Sequence, residues 1–228
     1  MLVLGIDTSG KNGGVALAER DEHAFRVLGA SPIAGGTFSA QLVPTVARLL
    51  EQHGRRAADL DGFAVVSGPG SFTGLRVGLS AVKGLAEVLH KPIATVSLLE
   101  ALASLSGFQG LVAAALDAGR NEVFLGWYLV DPAAQTTRRI DESLRSQSEL
   151  KEQLEARPEA VLVTCDDSVG RLASGMQCAI KVVPRPESEL VTRLGIRKLL
   201  AGDAVSVEEL DANYLRRSDA EILFKGAR

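Results

Sequence analysis

Apolar and polar residues alternate along the chain with two different periods, and each change of period marks a new element. Residues 2–6 form an unbroken apolar run ending at Asp7-Thr8-Ser9-Gly10. This predicts a buried strand running into a turn. Gly13-Gly14 leads into Val15-Ala16-Leu17-Ala18, a second strand, and residues 25–28 give a third, with Ser31-Pro32 and Gly35-Gly36 as breakers after it. Over 39–53 the pattern becomes helical, with Leu42, Val46, Leu49 and Leu50 on one stripe. Pro44 either falls in the opening turns of that helix or kinks it. Residues 62–67 (GFAVVS) predict another buried strand. The turn GPGSFTG then opens a long helix over about 75–89, which Lys91-Pro92 stops before the strand Ile93-Ala94-Thr95-Val96.

This order, three strands and then helix, strand, helix, strand, is the layout of one half of an actin-like ATPase fold. Ferredoxin-like folds imitate part of it, so order alone does not decide. Strands resume at 111–116 and 123–130, flanking a predicted hairpin turn at Asp117-Ala118-Gly119-Arg120-Asn121. Helical segments at about 148–156 and 187–200 alternate with strands at 160–164 and 179–183. The second half therefore reads as a trimmed copy of the first in order of elements, without a sequence repeat. The expected fold class is α/β, with two lobes, 1–106 and 107–228, each a mixed sheet flanked by helices.

Composition narrows the setting. A chain of 228 residues buries roughly 70% of its unfolded surface and needs no covalent staple. Only 4% of it is aromatic, so Ala, Val, Leu and Ile must build the core. The net charge of −3 argues against a protein that grips an RNA backbone alone, because such grip rests on neutralising phosphates. Cys165 and Cys178 are too few for a disulfide framework and wrongly spaced for a CxxC site, which leaves two small apolar residues in a reducing compartment. The segment MLVLGIDTSG lacks the basic and long apolar regions of a signal peptide, and no run reaches the ~20 apolar residues of a membrane span. A cytoplasmic protein is expected.

The stretch Ser67 to Ala86, SGPGSFTGLRVGLSAVKGLA, carries the most chemistry. Gly68 and Gly70 open backbone angles closed to other residues, Pro69 stiffens the loop, and Ser71 or Thr73 is placed to cap the helix after Gly74. A glycine loop feeding a helix N-terminus suits an anion. It also suits a plain tight turn, and the Lys that completes a P-loop is missing, since Lys83 lies well inside the helix. Asp7, Thr8 and Ser9 sit where actin-like ATPases place a first phosphate loop. A turn in which these side chains bond the backbone fits the same residues. Asp166-Asp167 reads as paired carboxylates or as a solvated helix start. No GxSxG elbow is present.

The Ser67 to Ala86 segment resembles the signature shared by the TsaB (YeaZ) family and its catalytic paralogue TsaD. GIDTS at Gly5 to Ser9, DAGRNEVF at Asp117 to Phe124 and NYLR at Asn213 to Arg216 extend the resemblance over essentially the whole chain. In the catalytic paralogue, two histidines four residues apart follow the next strand, on one helical face as a metal site requires. Leu98 and Leu102 hold those positions here, and His23, His53 and His90 are scattered singly, where surface or helix-end roles are expected. No metal site and no cofactor are expected.

The resemblance implies a non-catalytic subunit that binds and activates a TsaD-type catalytic subunit, with a small TsaE-type ATPase docking on the pair. The reaction it serves would transfer a threonylcarbamoyl group to N6 of adenosine 37 in tRNAs decoding ANN codons, with tRNA reached only through the complex. Family members pair through their N-terminal helices, which places Leu42, Val46, Leu49, Val77, Ala81 and Lys83 at or near a partner interface. The glycines of the 75–89 helix, costing up to about 1 kcal/mol each, mark either that interface or close packing on the chain's own sheet. An independent homodimeric nucleotide-binding protein and a small-molecule kinase of the same fold are the alternatives. A metallopeptidase would need the paired histidines.

Overall fold

The computed structural model describes residues 1–22 and 24–216, and His23 lies outside them. Among the described residues the strands form two five-stranded sheets. The first comprises β1 (Leu2–Asp7), β2 (Asn12–Arg20), β3 (Phe25–Ala34), β4 (Gly62–Gly68) and β5 (Ile93–Ser97). Its order is β3-β2-β1-β4-β5, with β1, β2 and β3 antiparallel and β4 and β5 parallel to β1. The second comprises β6 (Gly110–Gly119), β7 (Glu122–Asp131), β8 (Thr136–Ser146), β9 (Val161–Thr164) and β10 (Ala179–Val182). Read as β8-β7-β6-β9-β10, it repeats the order and directions of the first.

Helices follow the same repeat. Helix α1 (Phe38–Gln52) joins β3 to β4, α2 (Phe72–Leu89) joins β4 to β5, and α3 (Leu98–Ser104) follows β5. In the second half α4 (Gln147–Glu155), α5 (Asp167–Leu172) and α6 (Ser188–Leu200) take the corresponding places. Helix α1 buries the expected stripe, Leu42, Val46, Leu49 and Leu50, with Phe38 and Thr45 added, and Pro44 lies inside it.

One compact unit consists of Met1–Ala101 together with Pro186–Asn213, and the other of Leu102–Arg185 with residues 214–216 of the described chain. The expected division at 106 and 107 would have left α6 with the second lobe. Instead α6 lies on β1, β2, β4 and β5. The register shows why. Ala30, Ala16, Gly5, Ala64 and Ala94 form one row across all five strands. A row of residues with at most one side-chain carbon lets a helix backbone settle close to the sheet. A Cβ at Gly5 would stand 1.9 Å from the Thr192 hydroxyl oxygen, and one at Gly195 would stand 2.2 Å from the Ala64 Cβ. Thr192 itself is fully buried, and its hydroxyl donates to the Ser188 carbonyl at 2.7 Å. On the opposite face Leu4, Leu17, Phe63 and Ile93 are buried, and α1 presses so close to β3 that a Cβ at Gly29 would stand 3.1 Å from Leu49.

The second unit buries Ala113, Ala115, Val123, Leu125 and Trp127 of its sheet against Leu150 and Leu154 of α4 and Val169 of α5. The Trp127 indole N–H donates to Gln153 at 2.9 Å, which satisfies its polar end.

Two strands depart from the expected pattern. Strand β3 runs through Ser31-Pro32 to Ala34 rather than ending at 28. As an edge strand it tolerates a proline whose missing N–H has no ladder partner to lose. The sequence TTRRIDESLRS forms β8, which its weak alternation did not announce. Charged residues along this edge discourage pairing with foreign strands.

Candidate functional site

Glycines at the entrance of α2 receive the loop that leaves β1. The Thr8 hydroxyl donates to the Gly74 carbonyl at 2.7 Å, and the Ser71 N–H donates to the Ser9 carbonyl at 2.7 Å. A Cβ at Gly70 would stand 2.3 Å from the Ser9 carbonyl oxygen, at Gly74 2.0 Å from that of Thr8, and at Gly78 2.3 Å from the Thr8 hydroxyl. At each of these close approaches a larger residue would force the β1 turn to shift. Ser71 caps α2 by accepting the Gly74 N–H, whereas Thr73 is exposed in the first turn.

Asp7, Thr8 and Ser9 are each only 2% exposed. The same Asp7 carboxylate oxygen accepts the Ser9 N–H at 2.8 Å and the Ser9 hydroxyl at 2.5 Å. Buried polar groups must find partners, and these find them inside the loop and on α2. The arrangement fits the turn with side chains bonded to backbone, and its hydroxyls and carbonyls serve as a clasp between β1 and α2.

On the other side of the motif, the Asn213 N–H donates to the Ser67 carbonyl at 2.8 Å. Gly68 has φ of 135°, a region that favours glycine, and a Cβ there would stand 2.8 Å from the Asn213 carbonyl oxygen. The peptide bond from Gly68 to Pro69 is cis. Asn213 thus belongs to the motif's surroundings, a role for which its place in NYLR was the sole signal.

Leu98 and Leu102 lie four residues apart on α3 and are 1% and 0% exposed. His53 is the C-cap of α1, and His90 caps α2 in the left-handed conformation. Among the described residues no three His, Cys, Asp or Glu side chains stand together as a metal site would need. Cys178 is buried and Cys165 half-buried, and burial raises both thiols above their ordinary pKa.

The expected interface residues divide. Leu42, Val46 and Leu49 are 2%, 6% and 2% exposed, packed inside their own unit rather than displayed for a partner. Helical period revealed an apolar stripe but not that the chain itself covers it. Val77, Ala81 and Lys83 are half-buried on α2. Val88, on the same flank of α2 as Val77 and Ala81, is 77% exposed, and Val43 of α1 is 59% exposed. Gly84 is exposed, with nothing within 4 Å of where its Cβ would be.

In the second unit, the expected hairpin turn forms with Gly119, Arg120 and Asn121 all at positive φ. Asp117 accepts the Gly119 N–H at 2.7 Å and the Ser168 hydroxyl at 3.1 Å. Asp166 accepts the Asp117 N–H at 2.8 Å, while Asp167 lies exposed in the first turn of α5. Arg216 donates to the Gly119 carbonyl at 3.3 Å and pairs with Glu122 at 2.5 Å. The DAGRNEVF and NYLR matches, distant in sequence, therefore meet at this turn.

Comparison with known proteins agrees with this architecture. The model of TsaD, tRNA N6-adenosine threonylcarbamoyltransferase, matches residues 30–149, just over half of the chain. The tRNA threonylcarbamoyladenosine biosynthesis protein TsaB of Bacillus subtilis is 36% identical over 129 residues, 56% of this chain and 55% of that protein. The Haemophilus influenzae protein of the same name is 34% identical over 128 residues, 54% and 52%. The matches thus span about half the length of these curated relatives. The solved structure of YeaZ from Pseudomonas aeruginosa is 26% identical, covers 94% of this chain and 99% of its own, and superposes with a TM-score of 0.77. Two mixed sheets of matching order, flanked by helices, are the α/β actin-like fold of these neighbours, and the chain belongs to the TsaB/YeaZ family.

Proposed function

We propose that this chain is a non-catalytic partner subunit in the biosynthesis of threonylcarbamoyladenosine on tRNA, one that binds a TsaD-type catalytic subunit and activates it. Two observations support the reading. Family membership connects the chain to proteins named for this pathway. The seats that hold paired histidines in the catalytic paralogue are occupied by Leu98 and Leu102, whose aliphatic side chains offer no lone pair to a metal and are sequestered in the core. The second observation weighs most.

The docking face is assigned to the flank of α2 that carries Val77, Ala81, Gly84 and Val88 at three- and four-residue steps, together with Val43 of α1. Lys83, two residues from Ala81, leaves the helix on the other flank. Small residues at Ala81 and Gly84 leave room for a partner backbone, and the apolar groups around them supply area to bury. A TsaE-type ATPase would join the assembled pair, and the chain would work in the cytoplasm.

Reconstitution of tRNA modification tests the reading. Activity of the catalytic subunit should require this chain, and native mass should report a heterodimer. Full activity without the chain, or turnover by the chain alone, would overturn it. The same α2 face could instead join two copies of this chain, and native mass of the mixture separates a homodimer from the mixed pair.

A further inference from the structure

Three arginines converge at one end of the first sheet, away from the α2 face. Arg193 and Arg197 are four residues apart on α6, so their side chains leave the same side of the helix. Arg20 ends β2 and stands opposite Phe25 in the register of β2 and β3. The Arg193 guanidinium lies 4.5 Å from the centre of the Phe25 ring, which ties α6 to that corner of the sheet.

None of the ion pairs among the described residues uses any of these three side chains. The carboxylate that acts to raise the Arg197 pKa is Glu100, which Lys198 engages at 3.1 Å. Arg197 is half-buried, and desolvation, then the charges of Arg193 and Arg20, push its pKa down. Three guanidinium groups that form no ion pair repel one another, and the arrangement is relieved when a polyanion supplies further negative charge.

We propose that Arg20, Arg193 and Arg197 form a contact site for the phosphodiester backbone of RNA. The planar fork of arginine matches two phosphate oxygens at once, and a patch of three spans more than one phosphate. The assignment rests on the proposed role in tRNA modification, which names the polyanion the assembly must hold. The chain's net charge of −3 fits a local contact made once another subunit has captured the tRNA, rather than capture by this chain alone.

The test is fluorescence anisotropy of labelled tRNA over a range of salt, using this chain with the catalytic subunit and also this chain alone. Arg193→Gln with Arg197→Gln, and separately Arg20→Gln, are compared with wild type, with circular dichroism to confirm folding. Removing each guanidinium should weaken tRNA binding on the order of threefold at low salt and lower the log–log salt slope by about one. The corresponding lysine variants should keep most of the slope. Unchanged affinity and slope in folded glutamine variants would overturn the proposal. So would protection of the site by inorganic phosphate with no response to tRNA, which would mark it as a small-phosphate site. Native mass of the same mixtures reports subunit pairing separately. Loss of pairing in wild type would refute the partner role and with it the RNA assignment, whereas intact pairing with unchanged tRNA affinity and slope in the glutamine variants would overturn the arginine site alone.

Discussion

The Thr8 hydroxyl donates to the Gly74 carbonyl at 2.7 Å, while the Thr8 carbonyl fills the space a side chain on Gly74 would need. One residue of the β1 turn thereby explains two glycines of α2, since Gly78 faces the same hydroxyl. The glycines at 74 and 78 serve internal packing, and Gly84, with open space beside it, does not.

Two alanine substitutions separate these roles. Gly74→Ala forces its Cβ to within 2.0 Å of the Thr8 carbonyl oxygen and should cost about 1–3 kcal/mol of stability, or more if the turn cannot move. Gly84→Ala meets nothing and should stabilise the helix by up to about 1 kcal/mol. Urea unfolding of both variants checks the signs. Equal effects would show that the turn does not discriminate between the two positions.

Charge at Val46 and at Ala81 should act differently. Val46 is 6% exposed, so Val46→Asp places an unpaired carboxylate in the core and should destabilise by on the order of 3 kcal/mol or more. Ala81→Asp should leave a folded chain that no longer pairs with the catalytic subunit. Thermal unfolding together with native mass distinguishes the outcomes, and a stable Val46→Asp variant would contradict the burial of α1's stripe.

Acid should loosen the start of α4. The backbone N–H of Ser146, and then its hydroxyl, hold Glu149 below the ordinary carboxyl value of 4.5. Because the folded pKa is the lower one, the contribution is complete above 4.5 and is lost as pH falls through the folded value. Ser146→Ala keeps the N–H but removes the hydroxyl, so the Glu149 pKa should rise part of the way toward 4.5. Carbon-detected NMR titration of Glu149 measures it, and an unchanged midpoint would refute the capping box as the cause.

Arg216 should hold the 117–121 turn closed. Arg216→Gln removes the pair with Glu122 and the charge near the Phe124 ring. The side chains are partly exposed, so the destabilisation should be about 1 kcal/mol. Hydrogen exchange should quicken at residues 119–124 with little change in the first sheet.

Much of the framework was legible. Alternation and glycine punctuation gave the strands at 2–6, 62–67, 111–116 and 123–130, and the hairpin turn between the last two. What periodicity does not carry is the identity of a neighbour. The stripe of Leu42, Val46 and Leu49 announced a buried face, but an inner core and an outer interface write the same pattern. The glycines of α2 showed that something comes close without saying that it is Thr8. Strand β8 hid behind its charges. Helix α6 was visible as a helix, yet its partner was not, because Ala30, Ala16, Gly5, Ala64 and Ala94 become a row only after five strands are in register.

That row has a consequence for synthesis. The ribosome delivers all five strands of the first sheet roughly ninety residues before it delivers the helix that covers them. Until α6 emerges, the alanine-paved floor stands open to water and to other nascent chains, while residues 102–185 of the second unit have already been delivered. Closure of the first sheet therefore waits on a segment translated long after its strands, and a message broken between the two would yield a sheet without its cover.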